Sequence, residues 1–131
     1  MHLLRLEPIV MKIPEFLHLG MQAYENTYEQ MRSLVKAESF QDQVWLLEHP
    51  SVFTLGTAAD PSNILNPGDI PVIQTDRGGE VTFHGPGQLV IYFLLDIKSK
   101  KIGPKTLVAN LQLIIQKVLQ HYLIAVSYTH L

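Results

Sequence analysis

Apolar positions change their period along the chain, and each change marks an element. Residues 13–19 (IPEFLHL) read as a short strand, with Pro14 pushing it toward a sheet edge. Gly20 separates it from residues 21–36, where Tyr24, Thr27, Tyr28, Met31, Leu34 and Val35 fall at helical spacing and Glu25 and Glu29 take the outer face. After a polar break at 39–43 come two compact apolar runs, VWLLE at 44–48 and VFTL at 52–55, with His49-Pro50 as a bend between them. Residues 57–70 are rich in Asp-Pro, Ser-Asn and Asn-Pro-Gly-Asp and predict a long surface loop, of the kind that carries function. Residues 71–74 form a short strand candidate. Residues 89–97 are almost continuously apolar and read as a buried strand. Residues 98–101 make a basic turn. Pro104 then stands at the first position of a helix to about residue 125, with a stripe at Leu107, Leu111, Ile114, Ile115, Val118 and Tyr122. Strand, helix, several strands, helix is an α+β order.

Composition narrows the class. The 131 residues are 47% hydrophobic and 17% charged, which describes a globular chain of one domain or part of one. A net charge of −2 gives no basic excess to neutralise phosphates, so nucleic acid is not an expected partner. No apolar run approaches the ~18 residues of a membrane span, and residues 1–16 lack a secretory core because Arg5, Glu7 and Pro8 interrupt them. A cytoplasmic location is the expectation. Met11 is an alternative start. The chain has no cysteine, which rules out disulfides, thiolate metal sites and a cysteine nucleophile within it.

The densest chemistry is DRGGEVTFHGPGQ at 76–88. Gly78, Gly79, Gly85 and Gly87 flank the alternating strand Val81-Thr82-Phe83. Glycine at that density costs backbone entropy and is tolerated where turns need positive φ or backbone must approach a ligand. Two such loops can turn several N–H groups toward a carbonyl, an oxyanion or an acyl chain. His84 is suited to donate a hydrogen bond or shuttle a proton, and Arg77 to pair a carboxylate or phosphate. A tight hairpin with a structurally bonded histidine and a surface arginine accounts for the same residues. The residues alone leave both readings open.

The string RGGEVTFHGPGQLVIY, residues 77–92, resembles the signature of the octanoyl-acyl-carrier-protein:protein octanoyltransferases, the lipoate-protein ligase B family. Arg-Gly-Gly, Thr, an aromatic, His, Gly-Gln and Tyr all stand in place; Phe93 departs from the proline many members carry. WLLEHPSVFTLG at 45–56 and NPGDIPVIQTDRGG at 66–79 resemble the family's neighbouring segments, so the likeness covers about residues 13–125. It implies an α+β fold, a mixed sheet with flanking helices similar to biotin protein ligase and lipoate ligase catalytic domains. It also implies transfer of an octanoyl group from acyl carrier protein, through a cysteine thioester, to a lysine of lipoyl domains in 2-oxoacid dehydrogenases and the glycine-cleavage system. The donor is already activated, so no ATP, metal or other cofactor is implied. A thiolate exchanges readily with a thioester.

Carried over residue by residue, the substrate-binding string is Arg77, Gly78, Gly79, Glu80, Val81, Thr82, Phe83 and His84. The family's catalytic lysine and cysteine lie beyond the last helix and have no counterpart here. Residues 126–131 (VSYTHL) leave the family pattern and resemble a translated sequencing-library tag, with a short C-terminal strand as the alternative. The expectation is a single partial catalytic domain that is unstable or aggregates and has no transferase activity of its own.

His49 is read as a hydrogen-bonded structural histidine, Tyr92 as core with a satisfied hydroxyl, and Trp45 and Phe53 as core. Lys98, Lys100, Lys101 and Lys105 are read as a solvated turn, with steering of acidic acyl carrier protein as the alternative. Two rival functions remain. An ATP-dependent lipoate or biotin ligase shares the fold, but the biotin ligase's Arg/Gly-alternating loop and the lipoate ligase's glycine run with His-Asp are both missing. A non-catalytic binder of acyl carrier protein or lipoyl domains would suit a chain without cysteine.

Overall fold

The computed structural model describes residues 12–125, so the proposed start at Met11 and the tail at 126–131 lie outside the described residues. The chain divides into two compact units, with a boundary between Leu95 and Asp96.

The first unit holds β1 (Glu15–Met21), α1 (Tyr24–Lys36), β2 (Gln43–Glu48), β3 (Val52–Leu55), β4 (Val72–Gln74), β5 (Val81–His84) and β6 (Val90–Leu94), with a 3-10 turn at Pro61–Asn63. They form two mixed three-stranded sheets, β1-β2-β6 and β4-β3-β5, each with one parallel and one antiparallel pair. The predicted mixed sheet is therefore present as two sheets. The bend at His49-Pro50 carries the chain from one to the other, because β2 and β3 are consecutive strands in different sheets.

Strand period explains the core of the first sheet. Leu17, Trp45 and Tyr92 stand in register, as do Leu47 and Val90, so these side chains share one face. They pack with Leu19, Leu94 and, from α1, Met31 and Leu34. Burying a side chain such as Leu47 stabilises by about 1.5–3 kcal/mol. β1 sits at the sheet edge, as Pro14 led us to expect, and Gly20 takes φ +66 where the register slips, inside the strand rather than after it. α1 has no side-chain N-cap, and the buried Thr27 satisfies its own hydroxyl by donating to the Ala23 carbonyl at 2.9 Å.

The apolar run at 89–97 is corrected by the structure. Only residues 90–94 are strand, and Ile91 and Phe93 project to the opposite face, where they stay exposed. A continuous apolar run fits burial on both faces, but only Val90, Tyr92 and Leu94 of this strand pack in the core cluster.

The second unit begins with a turn in which Asp96 accepts from Ser99 N and Ser99 Oγ. α2 (Pro104–His121) follows, with Pro104 at its start as predicted. It ends before residue 125 because Leu123 adopts φ +58, which no right-handed helix continues through. None of its residues is buried; Ile114, Ile115 and Val118 are about half exposed. No helix among the described residues is long and apolar enough to cross a membrane.

Candidate active site

The signature begins with a loop that Arg77 holds from within. Its Nη2 donates to the Thr54 carbonyl at 3.0 Å, to Thr54 Oγ1 at 2.8 Å and to the Glu80 carbonyl at 3.0 Å, and Nη1 to the Gly78 carbonyl at 2.9 Å. Thr54 is fully buried. The guanidinium is therefore a strut between β3 and the glycine loop, rather than an arginine open to a carboxylate or phosphate. The backbone repeats the tie: Gly56, Thr57 and Ala58 N–H donate to the carbonyls of Glu80, Arg77 and Gly79 at 3.1, 2.9 and 3.2 Å.

Gly56 is glycine for steric reasons. A Cβ there would sit 2.1 Å from the Gly79 carbonyl oxygen and 2.8 Å from Arg77 Nη1. Gly79 itself takes φ +93. With their carbonyls turned inward, the loop leaves the N–H groups of Gly78 and Gly79 without an acceptor among the described residues. Such N–H groups are what a cradle for a carbonyl or oxyanion needs.

β5 then divides the signature. Val52 pairs with His84 and Thr54 with Thr82, so Thr82 and His84 share the face of the buried Val52 and Thr54. Val81 and Phe83 point to the opposite face, where Phe83 packs on Phe53 with ring centroids 5.2 Å apart. Pleating lets Thr82 and His84 present side chains on one side, while Val81 and Phe83 contribute side chains only on the other. Glu80 is exposed in the loop, its carbonyl bound as above.

His84 joins a ring cluster around His49, which is 0% exposed. His49 Nδ1–H donates to the Gln22 carbonyl at 2.7 Å and its Nε2 accepts from the Tyr92 hydroxyl at 2.8 Å. Tyr24, at the start of α1, stands edge-on to His49 (5.3 Å) and stacks with His84 (6.3 Å); the two histidine rings are 5.8 Å apart. Burial holds the His49 imidazole below its ordinary value, with the Gln22 carbonyl opposing and His84 adding to the fall. Burial likewise pushes the Tyr92 hydroxyl well up, so it remains a donor. Both residues match their sequence reading as internally bonded groups.

Tyr28 and Asp76 are hydrogen bonded to each other, which fastens α1 to the start of the signature and keeps the Asp76 carboxyl below the usual range. A mostly apolar cavity of about 210 Å³ lies beside Tyr24, between the start of α1 and Ser51, Val52, Pro71 and Ile73. Sequence reasoning noted Tyr24 only as a helix-face residue. Its position at a helix start after Gly20 is the one signal that could have flagged it. Lys98, Lys100, Lys101 and Lys105 fall in or beside the turn of the second unit. No group of three or more His, Asp or Glu placed to hold a metal occurs among the described residues.

Residues 23–130 match the lipoyl protein ligase A/B catalytic domain. The chain is 53% identical over 109 residues to the octanoyltransferase of Shewanella frigidimarina, covering 82% of this chain and 50% of that protein. It is 48% identical over 114 residues to the octanoyltransferase of Pseudomonas putida, covering 86% and 53%. The chain thus spans about half the length of the curated relatives it matches. On this match the chain belongs to the lipoyl protein ligase A/B catalytic domain family.

Proposed function

We propose that this chain carries the acyl-binding half of a lipoate-pathway octanoyltransferase. In this reading the enzyme moves an octanoyl group from acyl carrier protein, through a cysteine thioester, to a lysine of lipoyl domains in 2-oxoacid dehydrogenases and the glycine-cleavage protein, in the cytoplasm. The observation that carries it is the glycine loop: Arg77, Thr54 and Gly56 turn its carbonyls inward and leave the N–H groups of Gly78 and Gly79 open. The loop ends on the strand that presents Thr82 and His84.

In the proposed mechanism those N–H groups steady the thioester carbonyl as negative charge develops on it. Arg77 acts by holding the loop, and Thr82 and His84 line the same side of β5. The rest of the string contributes through backbone, with Val81 and Phe83 supporting from the far face. The nucleophilic cysteine and the lysine that favours its thiolate are supplied by the half of the relatives that this chain does not match. By itself the 131-residue chain is proposed to be inactive. ATP is not required in this scheme, because the donor is already an activated thioester.

One observation favours a second reading, a non-catalytic binder of acyl carrier protein or lipoyl domains: the chain contains no cysteine. An ATP-dependent ligase has less support, since both relatives compared above are named octanoyltransferase. The discriminating experiment replaces the corresponding half of the Shewanella frigidimarina enzyme with residues 23–125. That chimera is then assayed for octanoyl transfer with and without ATP. Transfer that ignores ATP supports the proposal. A strict ATP requirement moves the assignment to the ligases.

A further inference from the structure

Both glycine loops of the signature are seated on one stretch of chain, residues 48–57. The first is held by Thr54, Gly56 and Thr57, as described above. The second, Gly85-Pro86-Gly87-Gln88, closes on itself. Gln88 N donates to the Gly85 carbonyl at 3.2 Å, proline stands second, and Gly87 takes φ +86 in third place. That is a type II turn, whose one internal bond uses the N–H of its last residue. The turn therefore leaves the Gly87 N–H over, and the Glu48 side chain accepts it at 3.0 Å. Gly85 lies against the Phe83 ring and Ser51; a Cβ there would stand 2.9 Å from the ring and 3.5 Å from Ser51 Oγ. Glu48 is fixed at its backbone too, because its carbonyl accepts from Gln22 N at 2.8 Å.

We propose that Glu48 is a positioning residue of this site. By holding the Pro86-Gly87 turn it sets Gln88, and through Gln88 the ring of His84, for the acyl thioester. This role rests on the acyl-transfer reading, which supplies the ligand. A turn that closes on itself needs no carboxylate to keep its shape; the carboxylate fixes where the turn stands. Its position reaches the site through Gln88, whose Oε1 accepts from His84 Nδ1–H at 2.6 Å and whose Nε2 donates to the Phe83 carbonyl at 3.4 Å. His84 in turn shares its face with Thr82. The group that Glu48 meets is a neutral N–H, so the reach of its oxygen matters more than its charge.

The test is hydrogen exchange, read by mass spectrometry on peptides of the full 131-residue chain, with S-octanoyl-N-acetylcysteamine as the thioester probe. In the wild type the Gly87 amide should be protected, and the probe should slow exchange in residues 76–83 and 85–88. Glu48→Ala should speed exchange in 85–88, and weaken the probe, by about tenfold each. Glu48→Asp, which keeps the charge and shortens the reach, should behave like Glu48→Ala. Glu48→Gln, which keeps an acceptor oxygen at the same reach, should restore both. If Glu48→Ala also speeds exchange in β2 and β6, that variant has lost its fold and Glu48→Asp gives the decision. Unchanged exchange in 85–88, or no rescue by Glu48→Gln, would overturn the proposal. A probe that protects 76–83 with the same affinity in every variant would overturn it and leave the acyl-binding reading standing. A probe that protects neither loop would overturn both.

Discussion

The Tyr92 hydroxyl donates to His49 Nε2 at 2.8 Å, and this bond ties β6 of one sheet to the bend that enters the other. Because His49 is wholly buried, its two nitrogens depend on Tyr92 and the Gln22 carbonyl for all their hydrogen bonding. Tyr92→Phe leaves Nε2 without a donor and should cost about 1–3 kcal/mol, read by urea denaturation.

The same pair predicts a pH dependence. The folded His49 pKa is lowered, so the unfolded chain binds more protons in mildly acidic solution. Its contribution to stability should be full above the ordinary histidine value of about 6.5 and fall as pH drops below it. His49→Gln should flatten that part of the stability–pH curve. An unchanged slope would show that other groups produce it.

Two glycines in the loop region should respond in opposite ways. Gly56→Ala drives a Cβ into the Gly79 carbonyl and should destabilise by about 1–3 kcal/mol while displacing the loop. Gly78→Ala meets nothing within 4 Å and should melt like the wild type. In the chimera, the added methyl of Gly78→Ala would stand in the open space over the loop, where the acyl group is proposed to approach, without disturbing the fold; we expect at least a tenfold lower rate of transfer.

Arg77→Lys should not rescue Arg77→Ala. A single ammonium cannot span the carbonyls of Thr54, Gly78 and Glu80 in the way the planar guanidinium does. Both variants should lose about 1–3 kcal/mol by thermal denaturation. A fully stable Arg77→Lys would mean that charge matters there and the fork does not.

Apolar surface sets the behaviour of the isolated chain. Phe16 is 56% exposed, with Ile91 and Phe93 on the same face of the first sheet, and α2 shows Ile114, Ile115 and Val118. Exposed apolar area on this scale favours association. Gel filtration over a concentration series should show an apparent mass rising above the monomer. A concentration-independent monomer with cooperative unfolding would refute this expectation.

Much of this architecture could be read from residue order alone. The strand at 52–55 and the start of α2 at Pro104 stand where period and proline placed them, because local rules govern both. The glycine loop and His84 were visible as a string. Three features were not. The division of Thr82 and His84 from Val81 and Phe83 depends on which face of β5 meets β3. The inward engagement of Arg77 depends on Thr54, distant in sequence. The exposure of residues 91 and 93 depends on what covers a sheet face. These are tertiary relationships, and hydrophobicity along one strand does not encode its cover.

The most direct test of the central claim is the intact mass of a lipoyl domain after incubation with octanoyl-acyl carrier protein and the chimera carrying residues 23–125. One octanoyl group should be added to the acceptor lysine without ATP, and none when the 131-residue chain acts alone. A chimera that folds but leaves the lipoyl domain unmodified, beside an active Shewanella frigidimarina enzyme, would contradict it.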